Sequence, residues 1–360
     1  MNIDNTVCFF RVDASETIGL GHVMRCLTLS KEFIELGIEC IFLYRALPES
    51  IIKKLKRFDV TAKYLSYEGA GVVGTFSIDI EKDAAKAIEI IKVYRNSKKL
   101  LVVDHYGIDA YWEQLVIPYI LKCMVIDDLA NRKHQCDVLL DQTYNRQLID
   151  YNNFVPKHAE LLCGTGYALL GAEFHKVRQK AQFKRKKCKS IRNILLNFGG
   201  SDPKNLSAWC IKILNKHYEH QPYVLTIVLG AVSVSQNEVE LLVQQSKIPA
   251  TVIIDAENMS DLILEADLAI GAAGTSAWER CCLGLPTIMF VIAENQQKIA
   301  KELSKHQAVS LVEINDKESQ FLHAFDEFSN IMFYQHQSEN AFSICDGLGV
   351  KRAVEALLEI

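Results

Sequence analysis

The chain has 360 residues, more than one hydrophobic core ordinarily holds, and a prior of roughly 150 residues per domain divides it into two. Hydrophobic residues make up 49% and charged residues 23%, which excludes a disordered or fibrous protein, and a net charge of −4 argues against a nucleic-acid binder. No apolar run reaches the ~18 residues of a bilayer span, residues 1–5 lack the basic start of a leader, and no CxxC pair occurs among the cysteines, so a cytoplasmic protein with reduced thiols and no membrane partner is expected.

Short runs rich in Val, Ile and Leu at 7–12, 40–44, 61–66, 100–103, 122–126 and 138–140 read as strands, with helical periodicity over 22–36 and 80–93. Near-continuous apolar strands separated by helices predict a parallel sheet covered on both faces. Between 178 and 192 the chain carries a dense run of Lys and Arg, read as a solvated linker or helix face at a domain junction. The pattern then restarts. Strands are expected at 194–197, 224–229, 251–254, 268–270, 287–291 and 309–311, with helices at 203–217, 236–246, 259–265, 275–284, 295–306 and near the C-terminus. The predicted fold class is α/β, with two Rossmann-like domains whose parallel sheets face a central cleft. The first covers 1–185, the second 186–340, and a helical tail 341–360.

The densest motif runs from Arg11 to Arg25, where a strand, a loop and Gly19-Leu20-Gly21 lead into a helix beginning near His22. Glycines there let the backbone approach a ligand, and free N–H groups at a helix start favour an anion. A dinucleotide fingerprint fails, because Met24 occupies the third glycine position and Arg45 stands where a ribose-binding acid is needed. His22 is the candidate base. An imidazole titrates near physiological pH and can accept a proton from water, and a helix N-terminus favours its neutral form. At the end of another apolar strand, Asp104-His-Tyr-Gly107 offers His105 and Tyr106 as further candidates, whereas Asp127-Asp128 reads as structural or positioning because adjacent side chains diverge in an extended chain.

The second half opens with Asn197-Phe-Gly-Gly-Ser-Asp-Pro-Lys-Asn205, another strand, tight turn and helix, with Ser201 or Asp202 as cap and Pro203 at the first helical position. Farther on, Gly274, Thr275 and Ser276 can present N–H and hydroxyl groups to a phosphate, and Glu279 can accept hydrogen bonds from a ribose diol. Two such loops at strand ends of one domain favour a nucleoside diphosphate. Ala293-Glu-Asn-Gln-Gln297 supplies amides suited to sugar hydroxyls. No HxxxH or DxD pattern suggests a metal, and no cofactor is expected.

The motifs RVDAS…IGLGHVMRCLTLS, DHYGI, CGTGYALLGAEF, NFGGSDPKN, GAAGTSAWE and NQQ, in this order, resemble the hydrolases of pseudaminic-acid biosynthesis that cleave UDP-2,4-diacetamido-2,4,6-trideoxy-β-L-altropyranose. The resemblance covers essentially the whole chain, and these hydrolases look like relatives of the MurG glycosyltransferase with GT-B architecture. It implies that His22 is catalytic, with Gly19, Gly21 and Arg25 binding substrate beside it and Tyr106 and Asn295 near the sugar. It further implies that Gly200 and Ser201 contact phosphate or sugar, and that Gly274, Thr275 and Ser276 hold the diphosphate. Glu279 then binds the ribose, Gln296 and Gln297 lie near the sugar, and the uracil pocket falls in the loop ending at Met259. The expected partner is a small-molecule UDP-sugar bound by a monomer. A GT-B glycosyltransferase and a non-catalytic UDP-sugar-binding protein are the competing readings.

Overall fold

The β-branched runs assemble into two separate parallel sheets. The computed structural model describes residues 3–15, 17–68, 72–200, 202–231 and 233–358, with Asn295 and Asn315 described by backbone alone. The chain divides into two compact units, Met1–Gly171 with Leu348–Ile360, and Ala172–Gly347.

In the first unit the strands are β1 (Thr6–Val12), β2 (Glu39–Tyr44), β3 (Thr61–Tyr64), β4 (Lys98–Asp104), β5 (Lys122–Ile126), β6 (Val138–Asp141) and β7 (Glu160–Cys163). Their order is β3-β2-β1-β4-β5-β6-β7. Helices α1 (Gly21–Glu35), α2 (Glu49–Arg57), α3 (Ile80–Ile91) and α4 (Ala110–Val116) cover the sheet. Alternate residues of β1 feed two apolar cores. Cys8, Phe10 and Val12 pack on one face with Val23, Leu27 and Phe33 of α1, while Val7 and Phe9 pack on the other with Ala84, Ala87 and Ile91 of α3. This period of two, with both faces apolar, is why the strands read as continuous hydrophobic runs.

The second unit begins with α5 (Ala172–Lys187) and contains β8 (Asn193–Asn197), β9 (Val224–Leu229), β10 (Ala250–Ile254), β11 (Leu268–Ala272), β12 (Thr287–Phe290) and β13 (Ser310–Val312), ordered β10-β9-β8-β11-β12-β13. Its other helices are α6 (Leu206–Tyr218), α7 (Gln236–Gln245), α8 (Met259–Glu265), α9 (Ser276–Cys282), α10 (Gln297–Lys305), α11 (Lys317–Glu327) and α12 (Ile331–Ile344). The chain then returns to the first unit as α13 (Gly349–Leu358), whose Val350, Ala353 and Leu357 join the core containing α1.

Both sheets reverse strand order beside their first strand, between β1 and β4 and between β8 and β11. At such a switch point the two adjacent strand-end loops part in opposite directions and leave a crevice, which is where open α/β sheets bind ligands. Register fixes what meets there: Val12 is opposite Asp104, and Asn197 is opposite Gly271.

Several expectations change. The boundary placed at 185/186 falls at 171/172, and the tail 341–360 is divided, with Leu348–Ile360 in the first unit. Of the two readings of the basic run, the helix face holds and the linker does not, because most of it lies on α5 with Lys180, Lys186 and Lys187 exposed. Arg178 donates to the carbonyls of Phe342 and Cys345, and buried Arg185 to those of Ile263 and Ala266, so these cations sew α5 to its own unit. Pro203 does not open its helix. The helix α6 starts at Leu206, and the Asp202 carboxylate caps it from a distance, accepting from the N–H groups of Leu206 and Ser207 at 2.9 Å each. Strand β7 was absent from the predicted set; its sequence ELLC holds only two aliphatic residues.

Candidate active site

In the first unit the loop after β1 turns through Gly19, whose φ of +82° is the left-handed conformation glycine accommodates. The N–H of Gly19 donates to the Ser15 carbonyl, and α1 begins at Gly21, so His22 stands in its first turn as predicted. Gly21 itself has open space around its missing Cβ and serves as the helix start. The His22 side chain is only 7% exposed. Its Nδ1 lies 2.6 Å from Asp104 Oδ1.

Asp104 decides which imidazole nitrogen carries the proton. Burial alone would push its pKa up, but the Arg25 guanidinium, with help from His22, holds it well below the usual carboxylate range. An ionised carboxylate only accepts, so Nδ1–H is the donor, and in the neutral imidazole the lone pair then sits on Nε2; Arg25 Nη2 also stands 3.1 Å from Nδ1. Arg25, one helical turn beyond His22, donates Nε to Asp104 Oδ2 and Nη2 to Oδ1, both at 2.6 Å. Its Nη1 reaches Asp128 Oδ2 at 3.0 Å, and Asp128 Oδ1 accepts the Tyr106 hydroxyl at 2.6 Å. Burial and Asp128 both raise the Tyr106 pKa, which keeps the phenol protonated. The Tyr106 ring stands edge-on to the imidazole with centroids 4.6 Å apart, and Phe76 closes another side at 5.6 Å.

His22, Arg25 and Tyr106 are thus brought together, but His105 departs from its expected place. It is buried with Nε2 3.2 Å from Asp13 and Nδ1 accepting the Gly107 N–H, and burial lowers its pKa. Its role is to hold the turn. Asp127 and Asp128 diverge as expected, Asp127 pairing with Arg132 at 2.6 Å and accepting the Tyr151 hydroxyl at 2.9 Å. Sequence reasoning missed Asp104 as the partner of His22. The available signal was a carboxylate ending an apolar strand that neighbours β1. Phe76 carried no signal at all, since it comes from a loop between β3 and α3.

Gly107 is where Phe76 and the Asp104–Gly107 turn press together. A Cβ at Gly107 would lie 1.8 Å from the Phe76 carbonyl oxygen. Gly107→Ala is therefore expected to cost about 3 kcal/mol by overpacking. Thermal unfolding checks this, and an unchanged midpoint would show that the Phe76 segment yields freely.

In the second unit the switch-point loops carry the remaining predicted residues. Gly200 ends the turn after β8 with its backbone against Gly230, where a Cβ would lie 2.2 Å from the Gly200 carbonyl oxygen. Ser201 lies outside the described residues, and so does the side chain of Asn295. Gly274, Thr275 and Ser276 join β11 to α9, and the Gln296 amide reaches back toward Gly274, its Nε2 3.9 Å from where a Cβ would stand. The Gln296 Oε1 accepts from the Ile292 N–H at 3.1 Å, which fixes that reach. Met259 opens α8 and lines a narrow crevice with Asn197, Ser276 and Arg280. Met259, Ser276 and the end of β8 thus lie near one another.

Glu279 lies in the first turn of α9. Burial pushes its pKa up to about 7, partly offset by Arg280 and reinforced by Glu173. A carboxyl raised in the folded state loses stability as pH rises from its unfolded value toward its folded one. Glu279→Gln is thus expected to stabilise the unliganded protein above pH 7 and change little near pH 4. The paired ligand effect has the opposite sense: uridine, which has no titrating phosphate, should bind more weakly as pH falls through about 7. Glu279→Gln should flatten that dependence, and calorimetric titration showing the same slope in both proteins would remove Glu279 from the ribose.

These two switch-point units define the GT-B class of fold, two Rossmann-like domains in one chain, and A. baumannii MurG shares it with a TM-score of 0.70 at 14% identity over 99% of this chain and 100% of that one. Residues 194–344 match the Glycosyltransferase family 28 C-terminal domain. Among curated proteins, the chain is 28% identical over 300 residues to the UDP-2,4-diacetamido-2,4,6-trideoxy-beta-L-altropyranose hydrolase of Campylobacter jejuni, spanning 82% of this chain and 95% of that protein. It is 30% identical to the Bacillus subtilis spore coat polysaccharide biosynthesis protein SpsG over 149 residues, 41% of this chain and 42% of SpsG. No helix among the described residues is long and apolar enough to cross a membrane.

Proposed function

We propose that the protein is a hydrolase of UDP-2,4-diacetamido-2,4,6-trideoxy-β-L-altropyranose that releases UDP and the free 2,4-diacetamido hexose by attack of water at C1 with inversion. The observation carrying this reading is the His22–Asp104 pair: a buried ionised carboxylate fixes the Nδ1–H tautomer and leaves Nε2 as a base. The likeness to the Campylobacter hydrolase over most of both chains supports the substrate class.

A sugar alkoxide leaves poorly without protonation, which is why glycosidases commonly use two carboxylates. UDP is a far better leaving group, so one base suffices. His22 Nε2 takes a proton from water as its oxygen bonds to C1 and the C1–O bond to UDP breaks with its electron pair on phosphate. Asp104 stabilises the imidazolium so formed. Arg25 keeps Asp104 ionised, and Tyr106 borders the imidazole where a sugar can lie against its ring. The loops of the second unit at Gly200–Ser201 and Gly274–Ser276 supply donors for the diphosphate, Glu279 accepts from the ribose, and Gln296 with Asn295 addresses the sugar. Met259 belongs to the uracil pocket. The reaction is proposed to need no metal or cofactor and to be carried out by a cytoplasmic monomer.

A glycosyltransferase using the same donor is the second reading, favoured by the match of residues 194–344 to a transferase domain. Incubation with a panel of UDP-diacetamido sugars, followed by NMR of UDP and the sugar anomer, separates the two. Acceptor-free turnover with inversion, unchanged by EDTA, is expected. Donor left intact until an acceptor is added would establish the transferase, and binding with neither reaction would indicate a carrier.

A further inference from the structure

Arg280 is a buried cation that makes no close ion pair among the described residues. It lies on α9 with 3% of its surface exposed, and its guanidinium makes no carboxylate contact among the described residues, its hydrogen bonds going to Ala272 and Ser276. Its Nη2 donates to the Ala272 carbonyl at 2.6 Å and its Nη1 to Ser276 Oγ at 3.2 Å, while Nε has no partner. Gly271 leaves room for it, since a Cβ there would lie 2.8 Å from Nη1. Burying such a charge without a counter-ion is costly, and a fold does not need it to close a helix of this length. Burial accordingly lowers the Arg280 pKa to about 10. Glu279 is the carboxylate whose field it feels, but Glu279 makes no hydrogen bond or close ion pair with it, so the guanidinium keeps charge to offer a ligand.

We infer that Arg280 is a positioning residue for a nucleoside diphosphate, its buried charge supporting the Gly274–Ser276 loop from beneath and orienting Ser276 toward the phosphates. Two features of the geometry carry this. Because Ser276 Oγ accepts from Arg280, its own hydrogen is left to donate away from the guanidinium, which makes the hydroxyl an anion donor. Because the guanidinium is shielded from water, its field at the loop is little screened, so it stabilises charge that accumulates on the departing diphosphate more than an exposed lysine could. Glu279, the adjacent acid, makes no hydrogen bond with Arg280 and remains available for the ribose. The inference deepens the proposed UDP-sugar chemistry and rests on it.

The test compares affinities of the wild type, Arg280→Met and Arg280→Lys for uridine, UMP and UDP by calorimetry. Loss of a shielded charge facing a diphosphate should weaken UDP binding by about 30-fold in Arg280→Met, while uridine changes less than about threefold. Arg280→Lys should recover part of the UDP affinity. Equal losses for uridine and UDP, or no loss for either, would overturn the role and make Arg280 a structural residue. Should Arg280→Met fail to fold, Ser276→Ala gives the second reading, with a selective loss of about tenfold for UDP expected and none for uridine. A wild type that binds UDP no better than uridine sinks the UDP-sugar assignment itself. Strong wild-type UDP binding that is indifferent to both substitutions sinks only the inference.

Discussion

His22→Asn is expected to lower kcat by about 10³-fold, the middle of the range for a positioned general base, with the dissociation constant for the UDP-sugar within about threefold of wild type. Asparagine approximates the imidazole's Nδ1–H donor, so the bond to Asp104 can survive while the Nε2 lone pair is lost. The binding machinery assigned to the second unit is untouched by the change. Single-turnover kinetics with an independent affinity measurement check both halves. Turnover near the wild-type rate would remove His22 as the base, and a parallel collapse of affinity would make it a binding residue.

Asp104→Asn should cost nearly as much, about 10³-fold in kcat, for a different reason. Asp104 accepts at once from His22 Nδ1, Arg25 Nε and Arg25 Nη2, each at 2.6 Å. An amide offers one oxygen and one NH₂ group. If the oxygen faces His22, the NH₂ opposes Arg25 Nε; if it faces Arg25 Nε, the NH₂ drives the imidazole into the tautomer with Nε2 protonated. No rotamer satisfies all three donors. Removing a buried counter-ion is also destabilising, by about 3 kcal/mol or more, although Asp128 still holds Arg25 Nη1. The pH dependence has a fixed sign. The folded Asp104 pKa lies below its unfolded value, so its contribution is complete above the ordinary carboxylate range and is lost as the pH drops below it. Wild type should therefore lose stability on acidification more steeply than Asp104→Asn. Parallel acid-unfolding curves would contradict this.

The parts of this arrangement visible in the sequence were those with a local signature. Near-continuous apolar runs located twelve of the thirteen strands among the described residues, and the glycines before His22 and before Ser276 marked strand-to-helix turns. The helix face of α5 was legible, but not the use of Arg178 and Arg185, which bond to carbonyls far away in the chain. Asp104 was hidden for the same reason. Its meeting with His22 spans 82 residues and follows only from β1 and β4 being neighbours, a consequence of sheet order that no local period encodes. Pro203 illustrates the opposite error, a strong local preference overridden when Asp202 capped the helix from outside it.

Hydrolysis in H₂¹⁸O tests the central chemistry most directly. Attack of His22-activated water on C1 places the heavy oxygen in the sugar hydroxyl and leaves UDP unlabelled, as read by mass spectrometry of both products before the anomeric hydroxyl exchanges. Label in UDP would mean that water attacked phosphorus, and a base poised for the anomeric carbon could not then be the source of activity.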